Sequence, residues 1–170
     1  GIDCPVKRAV SPEVICRLMT DRKPLPGKLA FSRDLFVLLF LLRGMPFVDL
    51  AFLRRCDLQG NVITYHRRKT SRKLTVVVGK EAMEIIQKYM YAIPDSPYLF
   101  PIIQNPGKDE YGQYARMLRL QNYRLTQVAN ILGIRDRLST YTARHTWATT
   151  ALRQNYNSSL ICDAMGHSSV

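Results

Sequence analysis

Three basic side chains from separate parts of the chain, Arg43, Lys69 and Arg144, have the chemistry that handling a phosphate requires. A guanidinium presents a planar fork to two phosphate oxygens, and a lysine is a mobile proton donor. Two arginines would stabilise the charge that develops on a five-coordinate phosphorus, and Lys69 would protonate the leaving oxygen. Taken singly, each arginine is better explained as a surface charge or a structural ion pair, for instance Arg43 with Asp49. The set therefore predicts phosphoryl transfer if the fold brings its members together.

A predicted helix from Tyr141 to Gln154 carries Arg144, with Ser139 and Thr140 as candidate N-cap residues. Tyr141 and Arg144 are three residues apart, so we expect their side chains to point the same way. An arginine on a face of small and apolar residues costs desolvation unless an anion or a carboxylate meets it. This helix is therefore expected to present Arg144 to an anion.

The segment with the strongest excess of positive charge is a predicted β-hairpin. Two β-branched runs, 61–65 and 74–78, are joined by a basic turn, and residues 61–80 contain six Lys or Arg and no acid. Edge strands often carry lysines that discourage aggregation, but that explains one or two cations better than six. We therefore predict contact with phosphates. The predicted DNA-binding residues are Arg67, Arg68, Arg72 and Lys73 of the hairpin, with Arg116 and Arg119 of a later helix.

The remaining pattern is helical. Further helices are predicted to begin after Ser11, to cover 31–42 as the centre of the core, to open at Pro46, and to cover 80–91 and 110–131, with a last one between Asn157 and Gly166. The predicted fold is mainly α with a small antiparallel β-hairpin. Residues 1–10 are interpreted as a linker from an upstream domain, and 11–170 as one domain.

The composition and net charge of the chain indicate which kind of molecule it binds. The chain has 170 residues, 46% of them hydrophobic, and a formal charge of +12, which favours a polyanion such as nucleic acid. An anionic membrane surface is the weaker alternative, and the apolar run 35–42 is too short to cross a bilayer. The four cysteines lie far apart and no signal peptide is visible, so we expect reduced thiols in a cytoplasmic protein.

The three histidines have no metal-ligand spacing. His66, His145 and His167 stand without a carboxylate cluster, so neither a metal nor another cofactor is expected. His167 follows Gly166 and is placed to donate a hydrogen bond from a turn. His145 is expected to have a structural role.

Together these motifs resemble the catalytic domain of the tyrosine recombinases, the phage-integrase family. The second conserved box is matched by residues 141–149, the third by 165–169, the catalytic lysine turn by 67–70, and the first by 43–50 in a form associated with Bacteroides-type mobile elements. The boxes occur in the family's order. The resemblance implies the family's DNA breaking-rejoining fold and a reaction in which a tyrosine attacks a DNA phosphate, forms a 3′-phosphotyrosine and frees a 5′-hydroxyl, with no metal or ATP.

By resemblance, Arg144 is a phosphate clamp, Lys69 the general acid and His167 a hydrogen-bond donor. Tyr141 stands where the family usually has His or Lys, and a phenol is a poor base near neutral pH. Pro46 stands at the usual arginine of the first box, and we expect Arg43 to replace it. The family's nucleophile follows the third box, so we interpret the chain as truncated before it and expect it to bind DNA without cutting it.

The expected partner is double-stranded DNA in a bacterial cytoplasm. The truncated chain is expected to be a monomer and the full-length protein a tetramer on DNA. One alternative is a non-catalytic DNA-binding module derived from a decayed recombinase, which Pro46 and Tyr141 would suit. An RNA-binding domain is a third hypothesis, although no aromatic stacking platform or RNP motif is present.

Overall fold

The computed structural model describes residues 9–153, and within that range the chain is mainly helical with one small antiparallel sheet. This confirms the predicted class of fold. The helices are α1 (Pro12–Thr20), α2 (Gly27–Leu41), α3 (Phe47–Ala51), α4 (Lys80–Tyr89), α5 (Glu110–Leu132) and α6 (Thr140–Arg153). The strands are β1 (Leu58–Gln59), β2 (Val62–His66) and β3 (Lys73–Val77), and a 3₁₀ turn, Arg55–Asp57, precedes β1.

Helix α2 is the centre of the core, as its sequence predicted. It is apolar on nearly all sides, and every residue from Asp34 to Leu41 is buried. It packs against α1, α4, α5 and α6. The helix begins at Gly27, four residues before the predicted start, because the carbonyl of Pro26 already accepts hydrogen bonds from the N–H groups of Leu29 and Ala30.

The sheet has the strand order β1-β2-β3, and the predicted hairpin is β2 with β3. Tyr65 pairs with Leu74 across the hairpin, and His66 pairs with Lys73. Alternation along β2 buries Ile63 and Tyr65 on one face. Strand β1 was not predicted, because two residues are too few to show an alternating pattern.

The ends of α5 and α6 follow the chemistry of their capping residues. The Asp109 side chain accepts a hydrogen bond from the N–H of Gly112, and Gly133 ends α5 in the left-handed conformation. At the start of α6, Ser139 Oγ accepts from the N–H of Thr142 at 3.1 Å, and Thr142 Oγ1 accepts from the N–H of Ser139 at 2.8 Å. This reciprocal pair is a capping box and confirms the predicted start of α6.

Val10 lies at the end of the segment interpreted as a linker. Its side chain is buried, and its N–H donates to Thr146 Oγ1 on α6 at 3.0 Å, so this residue packs with the domain. Several predictions fall outside the described residues: most of the linker, the helix between Asn157 and Gly166, and the third box with His167. Among the helices described, none has the length and apolar character that crossing a membrane would need.

Candidate active site

Arg43, Arg67 and Arg144 line one cavity of about 230 Å³. Arg43 follows α2, Arg67 follows β2 and Arg144 lies on α6, so three separate elements deliver the three guanidinium groups. The structure thus brings together two of the predicted catalytic residues, Arg43 and Arg144, with Arg67, which was predicted to bind DNA. The other lining residues are Leu42, Met45, Pro46, Tyr65, Leu74, Thr75 and Val76.

Arg144 is held by the turn that follows α2. Its Nη1 donates to the carbonyl oxygen of Gly44 at 2.5 Å. Gly44 has a φ of +67°, and a Cβ added there would lie 2.9 Å from Trp147 Cδ1 and 3.1 Å from the Arg144 carbonyl oxygen. Only glycine therefore allows α6 to approach this turn so closely. The contact fixes the guanidinium of Arg144 at the edge of the cavity.

Arg43 has an unusual backbone conformation. Its φ is +64°, in the left-handed region that costs a non-glycine residue about 1 kcal/mol. Backbone strain of this kind is concentrated at functional sites, where the surrounding structure maintains it. Here the strained turn accompanies a half-buried arginine that lines the cavity beside Arg144.

Asp49 ties the hairpin turn to α3. This buried carboxylate accepts a hydrogen bond from the N–H of Arg68 at 3.0 Å, and its other oxygen lies 3.8 Å from Arg67 Nε. The Arg67 Nε–H is itself buried and donates no hydrogen bond within residues 9–153. Arg68 points elsewhere, with its guanidinium carbon 3.9 Å from the centre of the Phe52 ring. The two neighbouring arginines therefore have different surroundings.

Tyr65 was not among the predicted site residues. It is buried on the inward face of β2 and lines the cavity. Burial first, and then the negative charge of Asp49, raise its pKa to about 12, while Arg67 and Arg144 oppose the shift. The alternating pattern of β2 was the signal that could have identified Tyr65 as an inward-facing residue.

Lys69 and Tyr141 are not brought to this cavity. Lys69 is exposed in the hairpin turn, two residues after Arg67, and Tyr141 is exposed near the start of α6. The Tyr141 ring stacks on His145 with centroids 5.8 Å apart and lines a different cavity, together with Asn122 and Arg137. Tyr141 and Arg144 therefore do not point the same way, contrary to the expectation from their spacing.

The other predicted DNA-binding residues lie on the surface. Arg68, Arg72 and Lys73 are exposed in the hairpin, and Arg116 and Arg119 are exposed on α5. Within the described range, no group of three or more His, Cys, Asp or Glu side chains is arranged to hold a metal ion.

The family model of the phage integrase family matches residues 8–170. No curated protein sequence matches the chain. The chain is similar in structure to XerA recombinase, with a TM-score of 0.61 and 19% identity over 95% of this chain and 57% of that one.

Two DNA-bound structures are also similar. The Tn1549 transposon integrase in complex with transposon right end DNA has a TM-score of 0.60 and 15% identity, covering 98% of this chain and 60% of that one. The XerH site-specific recombinase bound to difH substrate has a TM-score of 0.58 and 17% identity, covering 95% and 47%. The chain spans about half the length of these structures, and the likeness confirms the predicted recombinase-like fold.

Proposed function

The chain belongs to the phage integrase family, and we propose that it acts as the catalytic domain of a site-specific DNA recombinase that cleaves and rejoins DNA through a 3′-phosphotyrosine intermediate. The observation that carries this proposal is the meeting of Arg43, Arg67 and Arg144 around one cavity. A phosphodiester is the anion that a DNA-acting protein would place there, and guanidinium groups bind its oxygens in a bidentate manner.

The three guanidiniums would act on the non-bridging oxygens of the phosphate. As the tyrosine oxygen bonds to phosphorus and the bond to the 5′ oxygen breaks, negative charge grows on those oxygens, and donors already in place stabilise it. Lys69 Nζ would transfer a proton to the departing 5′ oxygen. Because Lys69 lies in the same turn as Arg67, we expect DNA against the hairpin to bring it to the phosphate. Arg67 joins Arg43 as a candidate replacement for the arginine that the family has at the position of Pro46.

His167 and Tyr141 have roles that rest on the resemblance alone. We propose that His167 donates a hydrogen bond to the phosphate and that Tyr141 assists proton transfer when DNA is bound. The exposure of Tyr141, at 47%, leaves it accessible to such a substrate. A phenol at this place would act as a hydrogen-bond donor.

We propose duplex DNA in a bacterial cytoplasm as the partner, contacted by the exposed hairpin cations and by Arg116 and Arg119 of α5. The formal charge of +12 supports this choice. We further propose that the 170-residue chain alone is monomeric and does not cut DNA, whereas the full-length protein forms a tetramer on DNA. Light scattering with and without duplex DNA would measure both states.

The reaction is tested with the protein expressed from the whole gene. It is incubated with nicked duplexes tiled across the DNA on both sides of that gene, and a denaturant-stable protein–DNA adduct is the expected product. Arg144→Ala should reduce adduct formation about 100-fold or more, since it removes a preorganised donor. Arg135→Ala, an exposed arginine outside the cavity, is the matched control. Persistent duplex binding with no adduct from any substrate would contradict the recombinase and favour the DNA-binding module.

A further inference from the structure

Tyr65 brings a hydroxyl group to the arginine-lined cavity. The side chain is 7% exposed, and its strand places it opposite Leu74 of β3. Buried tyrosines usually have a hydrogen-bond partner for the hydroxyl. Within residues 9–153, the hydroxyl of Tyr65 makes no hydrogen bond, and it is not one of the buried unpaired side-chain atoms, which are Ser32 Oγ and Arg67 Nε. It is therefore open to the cavity that Tyr65 lines with Arg67 and Arg144. A ligand oxygen in that cavity would supply the missing acceptor.

The phenol stays protonated over the pH range in which DNA is duplex, since its pKa is raised to about 12. A neutral phenol can donate a hydrogen bond but adds no charge. That property matters here because of the charge balance in the cavity. The three guanidiniums carry three positive charges, of which Asp49 offsets one, and a phosphodiester carries a single negative charge. An uncharged donor would fix the orientation of the phosphate without adding to the repulsion among the cations.

We propose that Tyr65 is a further phosphate-binding residue, whose O–H donates a hydrogen bond to a non-bridging oxygen of the phosphate held by Arg144. The inference rests on the proposed function, since it assumes that the cavity receives a DNA phosphate. A packing role alone would need only the ring, which phenylalanine supplies equally well. Tyr65→Phe therefore separates the two roles of the side chain.

The test is a titration of the 170-residue protein with inorganic phosphate at constant ionic strength, followed by the NMR signals of the residues that line the cavity. We expect Tyr65→Phe to weaken phosphate binding about tenfold, the usual effect of one hydrogen bond to a charged group. Arg144→Ala should weaken it as well. Tyr91→Phe is the matched control, since it removes the same hydroxyl from a side chain that is 67% exposed.

A second measurement uses the unaltered protein, so that it does not depend on the folding of a variant. The Cζ signal of ¹³C-labelled Tyr65 should shift as phosphate saturates the cavity, because that carbon reports hydrogen bonding of the hydroxyl. Two results would overturn the role of Tyr65: a Tyr65→Phe variant that binds phosphate as tightly as the unaltered protein, or a Cζ signal that does not shift. If Arg144→Ala still weakens phosphate binding, the proposed function stands in either case. No phosphate binding at the cavity of the unaltered protein would overturn both.

Discussion

The carboxylate of Asp49 on α3 accepts a hydrogen bond from the backbone N–H of Arg68, 3.0 Å away in the hairpin turn. This contact joins the helix that begins after the Gly44 turn to the segment that carries Arg67 and Lys69. The side chain of Asp49 is 2% exposed, so the bond is shielded from water. The buried carboxylate of Asp49 therefore ties the basic turn, which the pairing of β2 with β3 already shapes, to α3 beside the cavity.

Asp49→Ala should destabilise the protein and release the turn. The substitution removes the acceptor of the Arg68 N–H and leaves a partly buried donor unpaired, which costs about 2 kcal/mol. Urea unfolding measures the free energy, and hydrogen exchange of the Arg68 amide measures the release. Asp95→Ala, an exposed aspartate in the loop after α4, is the matched control. Equal unfolding midpoints for the two variants would show that Asp49 does not anchor the hairpin.

Gly44→Ala should destabilise the protein more than Gly60→Ala, although the two glycines have similar backbone angles. Gly44 and Gly60 have φ values of +67° and +62°, but an added Cβ meets nothing within 4 Å at Gly60. We expect about 1 kcal/mol of destabilisation for Gly60→Ala from the left-handed backbone. Gly44→Ala should cost about 3 kcal/mol, since overpacking against Trp147 adds to that strain.

Thermal or urea unfolding of the two alanine variants gives the difference directly. DNA binding should fall in Gly44→Ala alone, because a displaced α6 moves Arg144 away from the Gly44 carbonyl. If both variants lose the same stability and bind DNA alike, the close approach of α6 to the turn has no energetic role.

Of two arginines in the hairpin, we expect Arg68 to contribute mainly to stability and Arg72 mainly to DNA binding. The guanidinium of Arg68 lies over the Phe52 ring, a contact worth about 0.5 to 1 kcal/mol at an exposed site. Arg72 is exposed in the turn. Arg72→Ala should therefore lower the slope of log K against log salt for duplex binding by about 0.9, the value for one lost phosphate contact.

Fluorescence anisotropy over a salt series measures that slope, and urea unfolding measures stability. Arg68→Ala should lower the unfolding midpoint more than Arg72→Ala does and weaken duplex binding less, so each variant serves as the control for the other. A larger loss of binding from Arg68→Ala than from Arg72→Ala would contradict the assignment.

The helices could be predicted because their end signals are local. Asp109 and Gly133 delimit α5, and Ser139 begins α6, each through contacts made within a few residues. Strand β1 could not be predicted, because its two residues form a strand only by pairing with Val62 and Ile63. Patterns of period 2 or 3.6 need a longer segment to appear.

The site was partly predictable for the same reason. Residue type and motif order identified Arg43 and Arg144 as catalytic and Arg67 as DNA-binding. Tyr65 joins them only through the pairing of β2 with β3, which also places Arg67 beside the other two arginines. The expectation for Tyr141 was wrong because residues three apart on a helix differ by about 60° in direction. Arg144 lies on the side that meets the Gly44 turn, and Tyr141 lies toward Asn122 of α5.

Glu110→Gln should reduce stability at neutral pH and have little effect in acid. Glu110 accepts hydrogen bonds from the Tyr98 hydroxyl at 2.6 Å and from the Gly107 N–H at 2.9 Å, and these bonds, that of Tyr98 first, lower its pKa from the ordinary 4.5. The ionised form therefore stabilises the fold above about pH 4.5, and this contribution is lost as pH falls through the lowered pKa. Urea midpoints at pH 7 and pH 3 test the effect, with Glu84→Gln on the exposed side of α4 as the control. If Glu110→Gln lowers the urea midpoint equally at both pH values, the carboxylate charge does not stabilise this loop.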